Sequence, residues 1–195
     1  MHEIVNLPKP NLSGSASLEP TIAARRSRRV FMSKSLTLEQ IGQLAWAAQG
    51  QDTRSRYRTT PSAGATYPLE LYVVTGQGLF AYLSAKHALE KLADQDLRGP
   101  LAAAAWGQEF VVAAPLTLIF AAEFARTTGR YGQRGVRYVY MEAGHAAQNV
   151  HLQAEALGLG SVAVGAFGDD AVSRVLELPS HLEPLYLVPV GYCRG

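Results

Sequence analysis

The longest periodic stretch of the chain is GVRYVYMEAGHAAQNVHLQAEAL, residues 135–157. Apolar and small residues recur in it at steps of three and four, which predicts one long helix with Gly158 at its C-cap. Many of the positions that face inward in this pattern are Ala or Gly, and such small side chains let two helices approach closely. The stretch therefore predicts either the spine of a dimer or the central helix of a monomer.

The segments around this helix predict a mixture of strands and shorter helices. Strands are expected at residues 69–75, 78–84, 115–122, 161–167 and 184–192, the first two joined as a hairpin at Gly76-Gln77. Short helices are expected at residues 21–26, 86–93, 101–105 and 169–176, and a longer one from the capping box of Thr37 and Gln40 to Gly50. Because helices and strands alternate irregularly, the predicted class is α+β.

Length and composition limit the class of protein further. The chain has 195 residues, a net charge of +2 and 48% hydrophobic residues, which fits an extended N-terminal arm at 1–18 and a single domain at 19–195. One cysteine, Cys193, excludes an internal disulfide framework. The chain has neither a secretory signal nor an apolar run of the ~18–20 residues that a membrane span needs. We therefore expect a cytoplasmic protein with no membrane partner.

The common motifs of nucleotide, metal and hydrolase sites are missing from the sequence. It contains no phosphate-binding G-x-x-x-x-G-K-[ST], no G-x-G-x-x-G, no H-E-x-x-H and no G-x-S-x-G. The five histidines are scattered along the chain, so no metal site is expected. Hydrolase and metalloenzyme functions are therefore disfavoured.

Positive charge is concentrated in two short segments. Four arginines flank Ser27, at positions 25, 26, 28 and 29, and three more alternate at positions 54, 56 and 58. A net charge of only +2 argues against nucleic acid as the partner, whereas an arginine fork matches the oxygens of a single phosphate. Together with several Gly/Ala/Ser loops, this inventory suits a planar cofactor with a phosphate tail, the shape of flavin mononucleotide (FMN).

Five blocks of sequence are similar to the nitroreductase family of FMN enzymes. RRSRRVF (25–31) resembles the family's R-x-S-x-[RK]-x-[FY] motif, and PSAGATYPLELYVV (61–74) resembles its P-S-x-x-N-x-Q-P loop. The second block is closer to the P-S-A-G-x-x-Y-P-L-E version of SagB-type dehydrogenases, which include azoline oxidases of peptide biosynthesis. Residues 106–120, 137–167 and 183–192 also resemble this subgroup. The resemblance spans residues ~20–192 in the family's order.

This resemblance implies a central, mainly antiparallel sheet surrounded by helices, in an intertwined homodimer with two FMN sites at the interface. Each site would use both chains, with a backbone N–H donating to flavin N5, where the hydride is exchanged. The implied cofactor residues are Arg25, Ser27 and Arg29 at the phosphate and pyrimidine edge, Pro61, Ser62, Ala63 and Gly64 from the other subunit, and Val164, Gly165 and Ala166 along the isoalloxazine.

The chain departs from the family pattern at several of these positions. Ala65 and Tyr67 replace the Asn and Gln of the P-S-x-x-N-x-Q loop, which removes two side-chain contacts with the flavin. Azoline oxidases carry a Lys-Tyr pair before the long helix, proposed to act as base, where this chain has Arg130-Tyr131. Arginine stays protonated and is a poor base, so Tyr131 is left as the candidate proton donor.

Three functions remain open at this point. The first is an NAD(P)H-dependent oxidoreductase that passes electrons to nitro or quinone compounds, the second is a SagB-type dehydrogenase acting on azoline-like peptides, and the third is a flavin-binding module without turnover. Glu142, His145 and Asn149 share one face of the long helix. For these three residues we favour a buried polar network that braces the helix over a catalytic role.

Overall fold

The computed structural model describes residues 3–52, 54–55 and 57–193. Within these residues, seven strands form one antiparallel sheet in the order β1-β4-β3-β2-β5-β7-β6. The strands are β1 (Ile4–Asn6), β2 (Leu69–Thr75), β3 (Gly78–Leu83), β4 (Ala88–Ala93), β5 (Leu116–Ala122), β6 (Gly160–Ser161) and β7 (Glu183–Gly191). The predicted α+β class and the mainly antiparallel sheet are confirmed.

Helices cover both faces of this sheet. They are α1 (Leu18–Ala24), α2 (Leu38–Gln49), α3 (Arg98–Ala104), α4 (Glu109–Ala113), α5 (Phe124–Tyr131), α6 (Arg134–Ala156) and α7 (Asp169–Val175). Side chains of α2 and α6 share one apolar core with the sheet, and those of α3, α4 and α7 share the other. Every residue of β5 is consequently buried, as its continuous apolar sequence predicts.

The long helix lies where the periodicity predicts it. It ends at Ala156, and Gly158 follows with a φ of +68°, the left-handed conformation that favours glycine after a helix. The capping box at the start of α2 is also confirmed, since Thr37 Oγ1 accepts from the Gln40 N–H and the Gln40 side chain accepts from the Thr37 N–H.

The helix predicted at residues 86–93 is wrong. Ala88–Ala93 is instead strand β4, which pairs with β3 on one side and with β1 on the other. A short segment that mixes apolar and charged residues, as this one does, is ambiguous between helix and strand, and here two neighbouring strands supply its hydrogen bonds. His87 makes the turn before it with a φ of +47°, and its ring contacts the Tyr82 hydroxyl and the Pro8 carbonyl.

Two other segments differ from their predicted extent. The strand expected at residues 161–167 is reduced to the short β6 and a single bridge from Val164 to Leu187, so most of the segment runs as irregular chain. The predicted N-terminal arm supplies β1 to the sheet edge. Because α1 already begins at Leu18, it starts earlier than the predicted 21–26 helix. The boundary at residue 18 stays a prediction.

Candidate functional site

The predicted arginine motif lies beside the start of β6. Arg25 follows α1 directly, and Ser27 forms a parallel bridge with Ser161, while the Arg28 N–H donates to the Ser161 carbonyl at 3.0 Å. These backbone contacts fix the segment and leave the side chains of Ser27 and Arg29 exposed. The chain thus presents a hydroxyl and a guanidinium to solvent from a rigid backbone.

The predicted cofactor residues Val164 to Ala166 lie next to the arginine motif. Val164 is buried against Leu187, whereas Gly165 and Ala166 are exposed. The Gln108 side-chain amide donates to the Ala166 carbonyl at 2.8 Å, and two residues on, the Phe110 ring lies 5.8 Å from the Arg29 guanidinium carbon. We call Arg25, Ser27, Arg29, Val164, Gly165 and Ala166 the arginine group.

A buried histidine of α6 contacts the strand that lies beside the arginine group. His151 Nδ1 lies 2.7 Å from Ser161 Oγ, and burial lowers the pKa of His151, an effect that the charge of Arg25 increases. Further along the helix, Glu155 meets Arg28 at 3.4 Å. The C-terminal half of α6 therefore anchors this group.

The predicted P-S-A-G loop is a separate, tightly turned structure. Three of its residues have left-handed backbones, with φ of +59° at Gly64, +53° at Ala65 and +48° at Tyr67. The Ser62 hydroxyl accepts from the Tyr67 N–H at 2.9 Å and closes the turn. Asn is one of the few non-glycine residues that tolerate this conformation. The backbone of Ala65 is therefore strained, whereas the asparagine of the family's loop would adopt the same conformation at lower cost.

Arg130 and Tyr131 converge on this loop from the end of α5. Arg130 Nη1 donates to the Gly64 carbonyl at 3.1 Å. A Cβ on Gly64 would lie 2.5 Å from the Tyr131 hydroxyl, so glycine is what lets the two side chains approach. A further contact between the Thr66 and Thr127 hydroxyls, at 2.8 Å, ties loop and helix together.

Glu142 lies behind the same loop and is only 3% exposed. Its Oε1 has no hydrogen-bond partner. Burial raises the pKa of Glu142 to about 7, against the opposing effects of the Ser62 hydroxyl and of Arg58. We call Pro61–Gly64, Arg130, Tyr131 and Glu142 the loop group.

The polar network predicted along α6 is only partly present. Asn149 is bonded as expected for a bracing residue, since its side-chain amide donates to the Ala47 carbonyl at 3.1 Å and to Thr60 Oγ1 at 3.3 Å. His145, in contrast, is exposed. Residues that share a helix face have different surroundings when the segment packed against the helix covers only part of that face. Here the packed segment leaves His145 exposed to solvent.

The two groups lie at opposite ends of α6. Glu142 belongs to the loop group, and Glu155, thirteen residues later, contacts Arg28, which lies between Ser27 and Arg29 of the arginine group. At a rise of 1.5 Å per residue, these contacts are about 20 Å apart along the helix. Two of the predicted sets, the arginine motif and the 164–166 segment, are therefore brought together within one chain, and the P-S-A-G loop lies apart from them.

The similarity to the family covers residues 106–120 but assigns no role to the segment between α3 and α4. Trp106 is 69% exposed with a φ of +57°, a backbone conformation that is rare for bulky residues. It occupies the position after a helix where glycine is common, and Gly107 follows it. Gln108, which binds Ala166, is next. An aromatic residue before glycine and glutamine, at the start of the similar block 106–120, is the sequence signal for this feature.

The second arginine segment serves the fold. Arg58 Nη1 donates to the Gln49 side chain and to the Leu69 carbonyl, both at 2.7 Å, and its guanidinium lies over the Tyr67 ring. Arg54 is exposed, and Arg56 lies outside the described residues. This use of Arg58 adds no support for a nucleic-acid surface.

The described residues offer neither a metal site nor a membrane-spanning helix. Among these residues there is no cluster of His, Cys, Asp or Glu side chains that could hold a metal ion. None of the helices described there has the length and apolar character needed to cross a membrane.

Comparison with known proteins identifies the class. A model of the nitroreductase family matches residues 22–192. A Methanocaldococcus jannaschii protein named as a candidate nitroreductase is 45% identical over 180 residues, 89% of this chain and 90% of the relative. The crystal structure of a candidate nitroreductase from Ralstonia eutropha, 30% identical, superposes with a TM-score of 0.89 over 98% of this chain and 90% of that one. The chain belongs to the nitroreductase family, whose members are oxidoreductases and generally depend on a flavin.

Two more distant relatives have names that describe different activities. The microcin B17-processing protein McbC of Escherichia coli is 27% identical over 153 residues, 73% of this chain and 56% of the relative. An NADPH-dependent FMN reductase of Bacillus subtilis is 26% identical over 186 residues, 88% of this chain and 64% of the relative. Both matches are weaker than that to the Methanocaldococcus protein.

Proposed function

We propose that the protein is an FMN-dependent oxidoreductase that takes electrons from NAD(P)H and passes them to nitro- or quinone-type acceptors. The observation that carries this proposal is the arginine group, where exposed Gly165 and Ala166 adjoin exposed Ser27 and Arg29. A flat cofactor with a phosphate needs this combination of accessible backbone and cationic donors. The name of the Bacillus subtilis relative, an NADPH-dependent FMN reductase, supports the choice of flavin and donor.

The residues present fit FMN. Arg25, Ser27 and Arg29 would hold its phosphate, since a guanidinium and a hydroxyl are strong donors to phosphate oxygens. Gly165 and Ala166 would lie against the ring system, where they have no bulky side chain to displace it. When bound, the flavin supplies the hydride chemistry, and the protein orients it and excludes water.

We further propose that a second copy of the chain completes each site. The loop group would meet the arginine group of its partner, because within one chain the two lie at opposite ends of α6. Apolar side chains that a monomer leaves exposed support this arrangement, and they include Leu12, Leu18, Ile22, Tyr140 and Met141. A groove of about 420 Å³ beside α6, lined partly by Leu18, Trp46 and Leu152, would receive part of that surface.

A second candidate function is that of a SagB-type dehydrogenase acting on azoline-like peptides. Its support is the similarity to McbC, a peptide-processing protein, together with the Arg130-Tyr131 pair set on the P-S-A-G loop. In this function the donor would be the peptide, and the nicotinamide would be a poor reductant.

An anaerobic spectrum of the FMN-loaded protein separates these functions. Fast loss of flavin absorbance with NADPH or NADH, followed by reoxidation with menadione, is expected for the first. A flavin that stays oxidised with both nicotinamides and is reduced by an azoline-containing peptide would indicate the second. Reduction by none of these donors would leave a flavin-binding module, and failure to bind FMN at all would overturn the proposal.

A further inference from the structure

A small cavity lies behind the P-S-A-G loop and has no assigned role. Its volume is about 280 Å³, and it is walled by Pro61–Ala63 of the loop and by Tyr138, Met141, Glu142 and His145 of α6. It is roomy enough for part of a small substrate but too small for a flavin. All of its walls belong to, or adjoin, the loop group.

One wall of this cavity is a buried carboxyl with unused hydrogen-bonding capacity. Glu142 is 3% exposed, and its Oε1 has no hydrogen-bond partner. A buried polar atom left unsatisfied is costly unless something arrives to bind it. Glu142 also lines the cavity, so a rotation of its carboxyl would bring an oxygen to a substrate N–H or O–H there.

The charged and titratable groups around Glu142 keep both of its protonation states accessible. Burial favours the neutral acid, while Arg58 and the Ser62 hydroxyl favour the carboxylate, and together they place the pKa of Glu142 at about 7. Tyr138 and His145 line the same cavity. A general acid or base is most effective when its pKa lies near the working pH.

Arg130, next to the candidate proton donor Tyr131, is not suited to this task. Its guanidinium donates to the Gly64 carbonyl and has no acceptor atom. It therefore holds the loop in place and cannot accept a proton. The buried carboxyl of Glu142 lies behind the same loop.

We propose that Glu142 exchanges a proton with the substrate in this cavity, as the partner of the hydride transfer that the flavin performs. This inference rests on the proposed function. In the direction of reduction, the Glu142 acid would give its proton to an acceptor that receives a hydride from the bound cofactor, and would become a carboxylate. In the direction of oxidation, the Glu142 carboxylate would accept a proton from nitrogen, oxygen or acidic carbon of a substrate that gives up its hydride to the cofactor. The substrate class is thus a compound that gains or loses one hydride together with one proton.

The test compares Glu142→Gln with Glu142→Asp and with Glu3→Gln, an exposed carboxyl beside the edge strand β1, in the FMN-loaded protein. The rate at which menadione reoxidises the flavin is followed by stopped flow from pH 5 to pH 9. We expect Glu142→Gln to lower this rate roughly a hundredfold and to abolish the pH dependence near neutrality. The aspartate variant should keep a pH-dependent rate, and Glu3→Gln should resemble the wild type. All variants should bind FMN with unchanged affinity.

A second readout does not depend on turnover. Infrared difference spectra of the protein without flavin, recorded across the same pH range, should show a protonated carboxyl that disappears near neutral pH and is absent from Glu142→Gln. Absence of that carboxyl, or a Glu142→Gln variant with the wild-type rate and pH profile, would overturn the proposal. Loss of FMN binding in Glu142→Gln would also overturn it and indicate a structural role. A wild type that titrates as expected but neither binds FMN nor reacts would overturn the proposed function, and this inference with it.

Discussion

The two ends of α6 differ in how their ionisable residues respond to burial. At one end, burial raises the pKa of Glu142 to about 7, so the loop group contains a carboxyl that is easily protonated. At the other, burial lowers the pKa of His151, so the arginine group rests on an imidazole that is easily kept neutral. Both shifts have the same physical cause, the cost of burying a charge, but they act on an acid and on a base.

The two groups also differ in how their polar groups are engaged. In the arginine group, Ser27, Arg29, Gly165 and Ala166 are exposed, so its donors face outward. In the loop group, Gly64 and Arg130 are exposed too, but the Arg130 guanidinium donates to the Gly64 carbonyl, and Glu142 is buried. This contrast indicates that the arginine group is arranged to meet a ligand, whereas the loop group is arranged to hold a strained shape and a single buried carboxyl.

The largest effect that tests this contrast is the pH dependence of stability. The Glu142 carboxyl has an ordinary pKa of 4.5 when unfolded and about 7 when folded. Between these values the folded state binds more protons, so its stability falls as pH rises through that window, by on the order of 3 kcal/mol. Urea unfolding of wild type and Glu142→Gln should show the variant gaining by this amount, relative to wild type, from pH 4.5 to above pH 7.

His151→Asn provides the opposite control. The pKa of folded His151 is lowered, so the unfolded state binds more protons and the wild type loses stability as pH falls below 6.5. The difference between wild type and His151→Asn should therefore change at low pH with the reverse sign. If the free energy of unfolding of both variants, relative to wild type, changed in the same direction with pH, the contrast between the two ends of the helix would be wrong.

Next in size is the loss of a phosphate contact. Arg29→Ala should weaken FMN binding about tenfold to a hundredfold, since a hydrogen bond to a charged group contributes roughly 1.5–3 kcal/mol. Because Arg29 is exposed, the melting temperature without FMN should stay within a degree or two of the wild type. Fluorescence titration with FMN measures the first effect and calorimetry the second. The exposed Arg54, mutated to alanine, is the matched control and should bind FMN normally.

A variant of the loop group should instead lower the stability of the protein, which Arg29→Ala leaves nearly unchanged. Gly64→Ala places a Cβ against the Tyr131 hydroxyl and Arg130 Nη1 and forces a left-handed alanine, at a cost of about 1–2 kcal/mol. The Arg130 and Tyr131 side chains can swing away, so most of the cost is backbone strain. Gly129→Ala in α5, where a Cβ meets nothing within 4 Å, should not destabilise. Equal melting temperatures for the two variants would show that the loop is not held as described.

How much of the fold and of the site the sequence predicts depends on how far apart in the chain the interacting residues lie. Helix α6 was predictable from its periodicity and strand β5 from its continuous apolar sequence, both of which are local patterns. Strand β4 was not, since its state depends on partners far away in sequence. The same holds within the site, where motif similarity indicated Arg25 and Gly64. Only the fold places Tyr131 on Gly64 and leaves Glu142 Oε1 without a hydrogen-bond partner.

The smallest expected effect concerns the strain at Ala65. Its φ is +53°, so Ala65→Gly should relieve about 1 kcal/mol of left-handed strain, while the greater freedom of glycine in the unfolded chain offsets part of it. The net result should be a slight rise in the free energy of unfolding. Ala103→Gly, at an exposed position of α3, should lower it by about 0.5–1 kcal/mol.

Ala65→Asn sharpens the same comparison, because it restores the residue type of the family's loop. Asparagine tolerates the left-handed backbone, so stability should rise as with glycine, and its amide should add a contact that tightens FMN binding. Chemical unfolding and FMN titration of Ala65→Gly and Ala65→Asn separate these two contributions. Tighter binding in the asparagine variant alone would mean that the loop meets the flavin, and identical binding in both would mean that it serves only to shape the protein around Glu142.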